Sequence, residues 1–424
     1  MLQIIVPDLA PMRYRSSYSI MVCAGILLYI FTEFRSPFGV RYLPFAFLIG
    51  QVIIFSLVVA ILFYYDKFRF QHKAVPVIGL LIAFVMLSLL SSHWSEYPRL
   101  TAQRSLITFL SPVAMIAVVA ADRHPKQTFW TLSMTIFSVG TSLSIIGIIL
   151  YIFGETMVID GYTVQSISVA GMSVGQEAFG NDERIGSLLH NPNSLAGFLA
   201  ISLAVSVGLG IKSFPTVFFS GAILQLIALV LTLSRTGFIA AVASLSVITV
   251  LKINDEINVG HILKTASVPA VVGVFFLLQS DEADRLTSIS FDTRLHIWRP
   301  LLSSVPDNPI FGIGFGVSSE SILKPAGIEA STHSDYFAIL AELGLVGFIL
   351  FVLLLTSAIG VGVKNYMSTN PHSEPRLRLT IALAVLLSLS LHGAAETTMT
   401  GPGYRQVIWA YMLATVINLT QYRE

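Results

Sequence analysis

This sequence is poor in charge. Only 12% of its 424 residues are Asp, Glu, Lys or Arg, about half the share of a soluble globular domain. It holds one cysteine, Cys23. That excludes an intrachain disulfide and a cysteine-rich zinc site, and its place inside an apolar run makes it a packing residue. No His/Cys/Asp/Glu group has the spacing of metal ligands, and DEAD at 281–284 reads as a solvated acidic loop. No serine stands in a nucleophile-elbow pattern. GIGFG at 312–316 is glycine-rich but lacks the strand–turn–helix setting of a nucleotide loop. Internal repeats, heptads and low-complexity tracts are missing too.

Apolar sequence is what the chain has. Apolar residues make up 54%, and runs near the 20 residues that span a bilayer recur along the whole length. They fall at about 18–34, 43–65, 74–91, 101–121, 129–153, 187–211, 215–233, 236–251, 262–278, 335–363, 378–395 and 405–421. The expectation is an all-α, polytopic membrane bundle of about twelve helices, with 1–424 as a single integral membrane domain. The start reads as an uncleaved first helix, because it shows no small-x-small cleavage site.

Lys and Arg give the orientation. With the N-terminus inside, 14 of the 25 basic residues fall in inside segments, among them Lys212, Lys252, Lys364, Arg376 and Arg378. Four of the remainder, Arg285, Arg294, Arg299 and Lys324, belong to the long segment 279–334, and long loops translocate largely regardless of charge. Both termini are therefore expected in the cytoplasm. The 279–334 loop, between the ninth and tenth helices, and the shorter 154–186 loop are expected outside.

The unusual residues gather on that outer side. Arg235 sits in SRTG, a link so short that it stays at the bilayer surface. It either snorkels to the headgroups or marks an anion site. Asp292 is placed to cap a helix through DTRLHIWRPLLSSV, with an apolar stripe of Leu295, Trp298, Leu301, Leu302 and Val305. Arg294 shares that stripe and so aims at the bundle, Arg299 lies on its flank and His296 opposite. Arg184 and Asn193 bracket Pro192, a residue suited to a helix's first turn; taken alone, Arg184 is a surface charge and His190 a polar helix-end residue. His333 opens an apolar run. Eleven steps of about 100° bring Gly344 back to about 20° past the line below it. In a regular helix that side is smooth, open to a neighbouring helix or a lipid chain. Glu342, on the opposite side, is an intramembrane acid that needs a partner.

Arginine forks suit phosphate oxygens, and a histidine suits proton abstraction from a hydroxyl. A lipid pyrophosphate would keep its tail in the bilayer and its phosphates at this height. A transporter or flippase would explain many helices, but it would carry its charges near the midplane rather than on one side.

The pieces RIGSLLHNPNSLA, SRTG, RLHIW followed by NPIFGIGFG, and HSDYFAILAELGLVG resemble, in order and membrane placement, the O-antigen ligase and Wzy-type polysaccharide polymerase family, which includes exopolysaccharide polymerases of the ExoQ type. The resemblance implies a C-type (GT-C) membrane glycosyltransferase with short amphipathic helices in its periplasmic loop. It implies work at the periplasmic face of the bacterial inner membrane. The implied reaction moves a glycan from undecaprenyl diphosphate to a lipid A-core sugar (ligase) or to a growing glycan (polymerase), and the H-x10-G pattern favours the ligase. Neither nucleotide nor metal nor other cofactor is implied, and nothing points to nucleic acid. By the same resemblance Arg235, Arg294 and Arg184 match the pyrophosphate-binding basic positions, and His333 matches the base that activates the acceptor. Asn193, Gly344 and Trp298 are supporting candidates.

Overall fold

The computed structural model describes residues 17–31, 74–122, 124–159, 162–169, 172–178, 184–189, 191–253 and 283–418. Its helices are α1 (Ser17–Phe31), α2 (Val75–Leu90), α3 (Pro98–Ala121), α4 (Pro125–Phe153), α5 (Pro192–Lys212), α6 (Pro215–Leu231), α7 (Arg235–Ile253), α8 (Ala283–Ser304), α9 (Asp335–Met367), α10 (Glu374–His392) and α11 (Tyr404–Asn418). All but α8 coincide with expected apolar runs; the runs at 43–65 and 262–278 lie outside the described residues. Six helices (α2 to α6 and α10) carry a proline in their first two positions. The missing N–H is unpaired there anyway, so proline sets the start without cost. Seven helices among the described residues are long and apolar enough to cross a membrane. The chain is a multi-pass membrane protein.

Helices α5 and α10 form the centre. Along α5 nearly every residue from Leu195 to Val205 is buried, and along α10 the same holds from Leu377 to Leu386. Helices α6 and α7 follow each other in sequence yet barely touch: α6 packs mainly on α5, and α7 on both α10 and α5. Gly237 permits the α7 approach, since a Cβ there would lie 2.3 Å from that of Ala196.

Three expectations change. The segment 154–186 is not a plain loop. It carries a three-stranded antiparallel sheet, β1 (Glu155–Ile159), β2 (Tyr162–Val169) and β3 (Met172–Ala178), in that order, so among the described residues the helical bundle has one β excursion. The sequence signals were Asp160-Gly161, a hairpin dipeptide, and alternations such as Ile167-Ser168-Val169. The second change concerns α8. It starts at Ala283, with Asp292 inside it rather than capping it, because nothing from 283 to 291 is Pro or Gly. Its buried side is Ile297 and Leu301, which pack with Leu323, Ile328 and Ala341. Leu295 and Leu302 are exposed.

The largest departure is in α9. Gly344 has φ 62°, ψ −163°, and breaks the helix. A regular helix would bond Leu345 N to Ala341 O and Val346 N to Glu342 O. Instead the NPIFGIGFG loop enters between them. Leu345 N donates to Pro309 O (2.9 Å) and Val346 N to Ile310 O (3.1 Å), while Ile313 N and Gly314 N donate to Ala341 O (3.2 Å) and Glu342 O (2.8 Å). Two helical bonds are replaced by four, so the irregular backbone stays satisfied, a condition for placing it among apolar helices. The side below His333 is thus filled by this loop and is not an open groove. The partner of Glu342 also comes from it: Gly316 N, Ser318 N and Ser318 Oγ donate to the carboxylate at 2.7, 3.3 and 2.6 Å.

Gly344→Ala is expected to destabilise the protein. The conformation is essentially confined to glycine, which alone costs about 1–3 kcal/mol. The new Cβ would also lie 2.4 Å from the Ile310 carbonyl carbon. Thermal unfolding in detergent checks this; an unchanged midpoint would mean the loop does not seat as described.

Candidate functional site

One end of the bundle gathers the starts of α5, α7 and α9, the end of α10, and α8. The opposite end holds Lys212, whose Nζ lies 3.8 Å over the Trp130 ring, and the Arg378–Glu374 ion pair at 2.9 Å.

The short link between α6 and α7 turns through Leu233 at φ 50°. Ser234 Oγ accepts from Gly237 N (3.4 Å), and Arg235 opens α7. Arg235 is half-buried, and its side chain makes no hydrogen bond or ion pair with another described residue. Its neighbour Thr236 is engaged: Arg294 Nη1, from α8, donates to Thr236 Oγ1 at 3.1 Å. The two arginines lie within electrostatic range of each other. Arg294 therefore aims into the bundle, as its place on the α8 stripe implied, although the stripe itself is rolled from the expected one.

Arg294 Nη2 pairs with Glu396 Oε1 at 2.9 Å. The other oxygen, Glu396 Oε2, lies 3.3 Å from His333 Nδ1. Arg294, Glu396 and His333 thus form one chain of contacts between helices far apart in sequence. His333 takes φ 47° in the turn before α9, and Ser334 then caps that helix by accepting from Phe337 N at 3.3 Å. Trp298 holds the same turn from α8, its Nε1 donating to Thr332 O at 3.1 Å and its ring 4.9 Å from that of Phe337.

Sequence reasoning missed Glu396. It stands in the polar link between α10 and α11. Asp335, the first residue of α9, fixes that link: its buried carboxylate accepts from Thr398 N (3.0 Å), Met399 N (2.8 Å), Thr400 N (3.1 Å) and Thr400 Oγ1 (2.6 Å), and its own N–H donates to Gly393 O (2.9 Å). Burial works to raise the Glu396 pKa. The hydrogen bond from His333 and the positive charge around the carboxylate, Arg405 included, outweigh burial, and the carboxyl is held down at about 2. An ionised carboxylate only accepts hydrogen bonds. In the neutral ring the His333 hydrogen therefore sits on Nδ1, toward Glu396, and Nε2 carries the lone pair.

Arg184 and Asn193 meet at the same end. Arg184 Nη2 donates to Asn193 Oδ1 (3.1 Å) and its Nε to Thr232 O (2.8 Å), which braces the α6–α7 link from below Arg235. Asn191 caps α5, accepting from Asn193 N (2.8 Å) and Ser194 N (3.3 Å). Gly344 lies away from this cluster, at the α9 break, and His190 lies outside the described residues.

Chemically, the cluster offers a cationic surface at a helix N-terminus, where unpaired N–H groups favour an anion. Next to it stands an imidazole nitrogen whose tautomer is fixed by a buried acid. Among the described residues, no group of three or more His, Cys, Asp or Glu side chains is placed to hold a metal ion.

Comparison with known proteins agrees with the resemblance seen in the motifs. Residues 220–352 match the family model described as O-antigen ligase. The matched stretch contains Arg235, Arg294, His333 and Gly344, while Arg184, Asn193 and Glu396 lie outside it. No curated protein matches the chain.

Proposed function

We propose that the protein is a glycosyltransferase of the bacterial inner membrane. It transfers a glycan from undecaprenyl diphosphate to a sugar hydroxyl at the periplasmic face, as an O-antigen ligase joining polysaccharide to lipid A-core. The observation that carries this reading is the convergence of Arg235, Arg294 and His333 at one end of the bundle, the last two through Glu396. The family match supports a glycan-transferring enzyme. The Lys212, Lys252, Lys364, Arg376 and Arg378 set, at helix ends away from the cluster, supports a cytoplasmic position for the opposite end. In this reading the cluster and the 279–334 loop lie outside.

In this reading Arg235 and Arg294 hold the pyrophosphate. Arg294 spends two of its five donors on Thr236 and Glu396, which leaves others for phosphate oxygens. The acceptor hydroxyl attacks the anomeric carbon of the glycan as its proton passes to His333 Nε2. The bond between that carbon and the phosphate oxygen breaks with its electron pair going to the oxygen, and undecaprenyl diphosphate leaves. The arginines stabilise that growing charge, the largest single contribution such sites make. Glu396 stabilises the imidazolium.

Membrane vesicles test both the reaction and the orientation. Right-side-out vesicles holding undecaprenyl-diphosphate-linked glycan should extend an externally added lipid A-core acceptor, and inverted vesicles should not. Transfer only in inverted vesicles would overturn the orientation. A product of lengthened lipid-linked polymer, with lipid A-core untouched, would make the enzyme a polymerase instead.

A further inference from the structure

The loop that enters α9 at Gly344 leaves its tip in the open. Pro309, Ile310 and Phe311 are all exposed, Ile310 at 55% and Phe311 at 50%. Contiguous exposed apolar residues mark an interaction surface. The carbonyls of this tip are all taken inside the protein. Pro309 O and Ile310 O accept from Leu345 N and Val346 N, and Phe311 O accepts from Trp94 Nε1 at 3.3 Å. A loop in water has no need of this, whereas backbone at the edge of hydrocarbon does.

The tip sits at the head of an apolar surface shared by two helices. Helices α2 and α9 pack together, with the Phe84 and Phe351 rings 5.6 Å apart. Their outward residues form two stripes, Ile82, Met86 and Leu90 on α2 and Leu345, Ile349 and Leu353 on α9, all exposed. In a multi-pass membrane protein such stripes face lipid. Both stop at the tip. No residue from 332 to 344 is exposed, and the α9 stripe begins at Leu345, directly after the break. The Trp94 ring lies 5.7 Å from that of Phe311, and Tyr97 is exposed close by in the chain. Trp and Tyr gather where a bilayer meets water. Around them the surface turns polar, with His93, Glu96, Arg99, Asp307 and Asn308 exposed. Length agrees. As one straight helix the 33 residues of α9 would reach about 50 Å, well over the ~30 Å of a hydrocarbon core. The part below the break, 345–367, is about 34 Å long.

We infer that Ile310 and Phe311, with Trp94, form an anchor seated in the bilayer interface, and that the hydrocarbon ends at the α9 break. Residues 335–343 and His333 then stand above the hydrocarbon, enclosed by protein. The occupant of this surface is phospholipid, because the tip continues the two lipid-facing stripes. The polar rim carries both signs of charge, so the anchor needs no anionic headgroup. None of this depends on the proposed glycan transfer.

The test places single nitroxide labels on the full chain in nanodiscs holding one protein each, with Cys23, the one native cysteine, replaced by alanine. Collision with oxygen, which concentrates in hydrocarbon, is compared with collision with a water-soluble nickel chelate. A label at Ile349→Cys sets the oxygen-favoured end of the scale. Labels at Ile310→Cys and Phe311→Cys should also favour oxygen, but less. Labels at Asp307→Cys and Ser331→Cys should favour nickel, so the preference reverses between 307 and 310. Discs of phosphatidylcholine alone and of phosphatidylcholine with phosphatidylglycerol should give the same result. A nickel preference at the tip would place it in water and overturn the inference. A tip label that neither probe reaches would mean that protein covers it, with the same consequence. An oxygen preference at Ser331→Cys would put the boundary beyond His333 and overturn it too, as would a tip that favours oxygen only with phosphatidylglycerol present. Ile310→Cys and Phe311→Cys carry the same expectation, so if one fails to fold the other decides. Turnover plays no part in the readout, and failure here leaves the transferase reading as it stands.

Discussion

His333→Asn protein is expected to transfer glycan about 10²- to 10⁴-fold more slowly than wild type, the usual loss for a missing general base. Asparagine is the informative replacement because of the backbone. His333 sits at φ 47°, a conformation that asparagine tolerates and alanine adopts at a cost. His333→Ala would therefore mix lost chemistry with a strained turn in front of α9. In His333→Asn the Ser334 cap and the Trp298 bond to Thr332 have no reason to change. Unfolding temperature and donor binding should stay near wild type while turnover falls. Added imidazole should restore part of the rate in His333→Gly, which a purely structural histidine would not allow. Near-normal turnover of the asparagine variant would rule out the base role whatever the fold.

Residues at the ends of apolar runs were legible in the sequence because the bilayer gives them a coordinate. Arg235, Arg294 and His333 could each be placed at one height, and the inward aim of Arg294 followed from the helical period alone. Glu396 could not be found this way. An acid in a polar link looks like any solvated acid. Its meaning comes from contacts with Arg294 and His333, 102 and 63 residues away in the chain, and from the Asp335 carboxylate that holds its loop. The break at Gly344 was hidden for a related reason. The angular argument that set Gly344 below His333 assumes a regular helix, and the loop that replaces its hydrogen bonds starts 35 residues earlier, at Pro309. Apart from its place in the family resemblance, NPIFGIGFG was read only for what it does not do, which is bind a nucleotide. Gly312, at φ 66°, lies against the α9 backbone at Glu342, while Gly314 and Gly316, at φ 112° and 75°, pass close to Ser95 and Arg104.

Those long-range contacts set the second large effect. Arg294→Ala is expected to cut transfer about 10²- to 10³-fold, as removal of one charge-stabilising donor does, and also to destabilise the fold. A buried carboxylate stripped of every partner would cost about 3–5 kcal/mol. Glu396 keeps its contact with His333, so the loss should be nearer the 1.5–3 kcal/mol of one hydrogen bond to a charged group. Pairing Arg294→Ala with Glu396→Gln should give a double variant less destabilised than the two single losses summed, with a coupling of about 0.5–3 kcal/mol. Acid separates this from a packing effect. Glu396 in the folded protein titrates at about 2 against the ordinary 4.5. A depressed carboxylate contributes stability that is complete above its unfolded pKa and is lost as pH falls through the folded one. His333, His392 and Arg405 are the chief causes of that depression, so only the share of the gap between wild type and Arg294→Ala that comes from the Arg294–Glu396 pair should close as pH falls from about 4.5 toward 2. In a Glu396→Gln background the effect of Arg294→Ala should not change over that window. A gap that does not narrow by pH 2 would mean that Arg294 stabilises through its aliphatic stem against α7 and α9. The ion pair with Glu396 would then not be what brings it to His333.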